Sequence, residues 1–166
     1  STGTGAMETA CANILERGDT MVICRNGFFG VRLADIAERC GAETYTVDVP
    51  WGKPVDVQAL EDELKKHPKI KAVGVVHAET STGVLTPIPE ICELAHRYGA
   101  VVIVDAVTSL GGGQRRAQPQ TVCLRAGRHR READRRRALQ SAGPRDAEQS
   151  LRWHGRPLRP DRLLLY

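Results

Sequence analysis

Four short stretches carry residues able to do chemistry. Thr2-Gly3-Thr4-Gly5 stands at the start of a run with helical spacing. Exposed backbone N–H groups and the positive end of a helix dipole attract phosphate. Glycines let the anion approach closely, and threonine hydroxyls add donors. A Gly-rich loop capped by threonine would read the same way. Val101-Val102-Ile103-Val104-Asp105 is an apolar run closed by an acid. Such an acid either faces a ligand (a metal, a ribose, a protonated ring nitrogen) or caps the turn that follows. A pyridinium partner makes chemical sense, because a fixed carboxylate keeps the ring protonated and the protonated ring accepts electrons from a substrate carbanion.

His77-Ala78-Glu79-Thr80-Ser81-Thr82-Gly83-Val84 gathers hydroxyls at the end of an apolar run. They suit a phenolic oxygen or a phosphate. No G-x-S-x-G elbow surrounds Ser81, so a nucleophile is not indicated. His77 lies on the strand side and reads as structural. Asn26-Gly27-Phe28-Phe29-Gly30 follows another apolar run. An aromatic beside glycines can lie flat on a planar ring, or it can fill a turn.

The elements that must position these stretches alternate along residues 1–114. Helices are expected over Gly5–Glu16, Phe29–Cys40, Val55–His67 and Pro89–Tyr98, from apolar residues at helical spacing. Gly41, Pro68 and Gly99 end three of them. Strands are expected over Met21–Cys24, Thr44–Val49, Ala72–Val76 and Val101–Val104. Thr80–Pro87 reads as a polar loop. A strand apolar on both faces, such as Val101–Val104, suits a sheet covered by helices on each side. The fold class is therefore α/β with a largely parallel sheet, and ligands in such sheets sit at the carboxyl ends of strands.

Charge divides the chain. Residues 1–114 hold 10 lysines and arginines against 15 acids, a net −5, whereas residues 115–166 hold 14 arginines, no lysine and 5 acids, a net +9. Apolar periodicity stops near Gln114 and reappears only at Leu163-Leu164-Leu165. Residues 1–114 are expected to be a partial large domain, and 115–166 an Arg-rich segment that is disordered or read out of frame from a GC-rich gene. Binding of nucleic acid by this segment is disfavoured, because one Trp, one Tyr and no Phe leave few stacking platforms. No run approaches the roughly 20 apolar residues of a membrane span. The five cysteines, Cys11, Cys24, Cys40, Cys92 and Cys123, show no metal-ligand spacing and read as reduced packing residues of a cytoplasmic protein. The opening Ser-Thr-Gly-Thr-Gly reads as the middle of a longer protein.

Taken in order, STGTGAMETACANILERGD, NGFFGVRLADIAERCGA, VVHAETSTGVLTPI and VVIVDAVTSLGG resemble the class V aminotransferases, nearest to the alanine–glyoxylate, serine–glyoxylate and serine–pyruvate enzymes. The resemblance spans residues 1–114. It implies part of a fold-type I large domain, truncated at both ends, with pyridoxal 5'-phosphate as cofactor. It also implies small amino acids and 2-oxo acids as substrates, and a homodimer in the intact enzyme, which could be cytosolic, peroxisomal or mitochondrial.

By position, Thr2, Gly3 and Thr4 match the phosphate-binding segment, and Phe29 the aromatic stacked on the cofactor ring. Thr80 matches the hydroxyl near the phenolic oxygen, Asp105 the catalytic partner of the pyridinium, and Val107 the apolar contact on the ring face. One departure is large: the family's Schiff-base lysine follows the aspartate, but the last lysine here is Lys71. The chain on its own is therefore expected not to transaminate. Cysteine desulfurases and 2-aminoethylphosphonate transaminases share the scaffold and are the alternative enzyme readings.

Overall fold

The computed structural model describes residues 2–110 and the backbone of residues 121–124. Four helices and five long strands alternate: α1 (Gly3–Ile14), β1 (Thr20–Arg25), α2 (Phe28–Arg39), β2 (Glu43–Asp48), α3 (Val57–Leu64) and β3 (Ala72–Val76). A ribbon of β4 (Ala78–Glu79) and β5 (Val84–Leu85) follows, then α4 (Ile88–Arg97), β6 (Val101–Asp105) and β7 (Thr121–Leu124). The long strands form one sheet in the order β2-β1-β3-β6-β7, and every pairing in it is parallel. The ribbon β4–β5 is antiparallel.

Parallel neighbours need crossovers, and here helices supply them. Two apolar cores result, one on each face of the sheet. Val22, Cys24, Val73, Val75, Val102 and Val104 pack against α3 and α4 through Leu60, Leu64, Ile91 and Leu94. The alternate residues Met21, Ile23, Ala72 and Ile103 pack against α1 and α2 through Met7, Cys11, Leu33 and Ile36. This two-residue alternation between faces is the strand period, and it explains why the strands read as continuous apolar runs. Each fully buried Leu or Ile on these helices contributes about 1.5–3 kcal/mol of burial.

The connection from β1 leads to β2 on one side, and the connection from β3 leads to β6 on the other. The sheet therefore reverses its winding between β1 and β3, where open α/β sheets form ligand crevices at their carboxyl ends.

Several boundaries differ from those expected. α1 starts two residues early because Thr2 caps it, its Oγ1 accepting the Gly5 N–H at 3.2 Å. It stops at Ile14 because Leu15 turns extended and buries its side chain. α3 starts at Val57 because Asp56 caps the Gln58 N–H at 2.9 Å. Thr80–Pro87 is not all loop: Val84 and Leu85 pair with Glu79 and Ala78. Thr121–Leu124, inside the Arg-rich segment, pairs with β6 from Val102↔Thr121 to Asp105↔Leu124. The rest of residues 115–166 lies outside the described residues. No helix among the described residues is long and apolar enough to cross a membrane.

Candidate functional site

The carboxyl ends of β1, β3 and β6 deliver three loops to one place, and α1 closes it. A cavity of about 240 Å³ is lined there by Gly3, Thr4, Met7, Phe29, Ala78, Thr80, Asp105, Val107 and Thr108. Six of the seven residues singled out from the sequence face this cavity. The seventh, Thr2, does not line it but caps the helix whose first turn does.

The first turn of α1 borders the cavity through Gly3 and Thr4. Its leading N–H groups have no acceptor within the helix, so they carry partial positive charge into the cavity. Gly3 packs tightly on Val107: a Cβ on Gly3 would lie 3.0 Å from Val107 Cγ2. The start of α1 and the segment after β6 are thus adjacent, although about a hundred residues of chain separate them.

Asp105, 6% exposed, also borders the cavity. Its Oδ1 accepts the Val107 N–H at 3.0 Å, so the carboxylate both caps the turn and faces the cavity. Burial pushes its carboxyl above the ordinary carboxylate range, the Val107 N–H opposes this, and the nearby Glu79 carboxylate adds to the rise. Around it, His77 N–H donates to the Asp105 carbonyl at 2.9 Å. His77 Nδ1 meets Ser109 Oγ at 2.6 Å, and Thr108 Oγ1 donates to the Ala78 carbonyl at 2.8 Å. His77 is buried and tied to the turn after β6, in keeping with a structural part.

Glu79 is the residue that the sequence left without a role. It is fully buried. Its Oε2 accepts the N–H groups of Phe29 at 3.1 Å and Gly30 at 3.4 Å, while Oε1 accepts the Ser81 N–H at 3.1 Å and the Ser81 hydroxyl at 2.7 Å. Ser81 Oγ in turn accepts the Phe28 N–H at 3.0 Å. Hydrogen bonds to a charged group contribute about 1.5–3 kcal/mol each, and a carboxylate at a helix N-terminus also gains from the dipole. The sequence signal was an acid at a strand end next to hydroxyls, but its partners lie 50 residues earlier in the chain.

Ser81 is thereby engaged in a structural bridge. Thr80, between these two anchored residues, borders the cavity. Phe29 borders it from the loop after β1, its ring in edge contact with Phe28 at 5.4 Å between centroids. Among the described residues, no group of His, Cys, Asp and Glu is placed to hold a metal ion.

The donor set suits an anionic, flat, basic ring compound: N–H groups for an anion, a buried acid for a ring cation, and an aromatic and a valine as apolar surface. A cation beside Asp105 would offset the cost of its burial.

Comparison with known proteins agrees with this fold. The family model described as aminotransferase class-V matches residues 1–129. An uncharacterized aminotransferase of Methanocaldococcus jannaschii is 46% identical over 110 residues, 66% of this chain and 29% of that protein. Alanine–glyoxylate aminotransferase of Rattus norvegicus is 43% identical over 107 residues, 64% of this chain and 26% of that protein. The crystal structure of an alanine–glyoxylate aminotransferase from Nostoc sp. superposes with a TM-score of 0.63 at 44% identity, covering 66% of this chain and 29% of that one. The chain thus spans less than a third of the length of these relatives. With a parallel sheet of this order, the cleft at its carboxyl ends and a family match over residues 1–129, the chain belongs to the class V aminotransferases.

Proposed function

We propose that this chain is the cofactor-cradling part of an aminotransferase that uses pyridoxal 5'-phosphate to pass an amino group from alanine or serine to glyoxylate or a similar 2-oxo acid. The observation that carries the proposal is the single cavity bounded by the first turn of α1 and by Asp105. The alanine–glyoxylate relatives named above support the choice of substrates.

Pyridoxal phosphate, when bound, supplies an electron sink for the carbanion of an amino acid. The chain's own residues do the rest of what can be assigned here. The N–H groups of Gly3 and Thr4 and the hydroxyl of Thr4 bind the phosphate, on a helix end held in shape by Thr2. Phe29 and Val107 offer apolar surface to the two faces of the ring. The Thr80 hydroxyl orients the phenolic oxygen by a hydrogen bond. Asp105 holds a proton on the ring nitrogen, and its burial strengthens that interaction by keeping water away. The dimer expected for the intact enzyme belongs to the same proposal.

Lys71, the last lysine, precedes Asp105 by 34 positions and lies just before β3. The 166 residues by themselves are therefore expected to bind the cofactor without transaminating.

The test uses pyridoxine 5'-phosphate, which has no aldehyde to react with surface lysines, in equilibrium dialysis with the full chain. Saturable binding weakened about tenfold or more by Asp105→Asn supports the proposal, since a charged hydrogen bond is lost. Absence of saturable binding, or equal binding by the variant, contradicts it. Turnover of alanine and glyoxylate by the 166-residue chain would contradict the expected inactivity.

A further inference from the structure

We propose that Glu79 is a positioning residue of this site, locking the Phe29 loop to the Thr80 segment, both of which border the cavity, so that the two keep one spacing. The inference rests on the cofactor reading above, because that reading makes Phe29 and Thr80 the residues that contact the ring.

The geometry separates this role from ordinary helix capping. α2 begins after Gly27, which has no side chain to cap it. Ser, Thr, Asp or Asn at that position would satisfy the helix locally. Instead the acceptor arrives from Glu79, on the loop that carries Thr80. A local cap would stabilise α2 and leave the two loops independent, whereas this one ties them.

The tie has two strands. Glu79 Oε2 takes the N–H groups of Phe29 and Gly30 directly. Ser81 forms the second, its hydroxyl accepting from Phe28 and donating to Glu79 Oε1. Thr80 is held from both neighbours, since residues 79 and 81 each bond to the first turn of α2. A fully buried carboxylate is costly to keep unless its oxygens are satisfied, so it holds its donors firmly. The same negative charge acts on Asp105.

The test uses the full chain. Glu79→Gln keeps the shape but turns one acceptor oxygen into a donor that faces other donors. Amide hydrogen exchange is read by NMR at Phe28, Phe29, Gly30 and Ser81. The dissociation constant for pyridoxine 5'-phosphate and the carbon-13 titration of the Asp105 carboxyl are measured alongside. The proposal expects exchange at Phe29, Gly30 and Ser81 to rise together, and affinity to fall about tenfold, the effect of one charge-assisted hydrogen bond.

It also expects the Asp105 midpoint to move down because a nearby negative charge is removed, while the joint rise in exchange with weaker binding is what separates positioning from helix capping alone. A folded Glu79→Gln chain with wild-type exchange at Phe29 and unchanged affinity overturns it. Should that variant not fold, Ser81→Ala decides. Faster exchange at Phe28 with weaker binding supports the tie, and unchanged exchange at Phe28 overturns it. If the wild-type chain binds no pyridoxine 5'-phosphate, the cofactor reading fails, while the exchange pattern still decides whether Glu79 ties the loops.

Discussion

Gly27 and Glu79 approach so closely that a Cβ on Gly27 would lie 2.3 Å from Glu79 Cγ and 2.6 Å from its Cδ. The backbone at Gly27 is extended, with φ 175°, a conformation open to any residue. Space, not φ, therefore requires glycine here. Gly27→Ala must push the Glu79 side chain off its four donors or shift the start of α2. The expected cost is about 1–3 kcal/mol, the usual range for overpacking a filled site. Urea denaturation measures it, and a cost below about 0.5 kcal/mol would show that the contact is slack.

Asp105→Asn separates stability from binding. Folding raises the pKa of this carboxyl, so the folded chain holds the proton more tightly than the unfolded chain does. The stability linked to that proton is present at low pH and is lost as pH rises through the raised value. At pH 7 the ionised, buried group is a net cost. Asparagine retains an oxygen for the Val107 N–H and carries no charge. The variant is expected to be more stable than wild type at pH 7 by up to about 1 kcal/mol, with the gap shrinking as pH falls. Denaturation curves at pH 7 and pH 5 check this, and a less stable variant at pH 7 would contradict it.

Gly74 sits in the middle of β3 on the face turned to α2. A Cβ there would lie 2.6 Å from Met21 Cε, 2.9 Å from Leu33 Cδ2 and 3.3 Å from Ile23 Cγ1. The Met21 methyl ends a flexible chain and can yield, but Leu33 is fully enclosed. Gly74→Ala is expected to destabilise by about 1–2 kcal/mol and to leave cofactor affinity within about twofold, because Gly74 does not line the cavity. Thermal unfolding and dialysis together test both halves.

Thiol chemistry reports on the packing of α1 and β1. Burial pushes the thiols of Cys11 and Cys24 up to about 12, so almost no thiolate is present at pH 8. Cys92 is buried too, whereas Cys40 is part-exposed at the end of α2. Iodoacetamide at pH 8 is expected to modify Cys40 well before Cys11, Cys24 or Cys92. Peptide mass spectrometry reads the order, and early labelling of Cys24 would mean that β1 is not enclosed by the two helix layers.

What could be read from the sequence was whatever depends on local pattern. The unbroken apolar run Val101–Val104 predicted a strand covered on both faces, and Val102, Ile103 and Val104 are fully buried between the two cores. Spacing in α2 and α4 marked their inward residues, because Leu33, Ile36, Ile91 and Leu94 recur at the helix period. Helix ends were less legible. Thr2 starts α1 two residues before the expected Gly5, ahead of the apolar spacing, whereas Asp56 stops α3 short of spacing that runs past it to Val55.

The ribbon β4–β5 is only two residues per strand, too short to show alternation. Glu79 was illegible as a cap because its donors are tertiary neighbours, and no periodicity links residue 79 to residue 29. Thr121–Leu124 is a short β-prone run among arginines, where composition hid it.

The most direct measurement is the protonation of the ring nitrogen in pyridoxine 5'-phosphate labelled there with nitrogen-15, bound to the full chain at pH 10, where the free ring nitrogen is unprotonated. With Asp105 against the ring, the resonance should stay at the protonated position, and in Asp105→Asn it should move to the unprotonated one. A bound ring that is unprotonated in the wild-type chain, or equally protonated in both, would contradict the placement of cofactor and carboxylate on which the account depends.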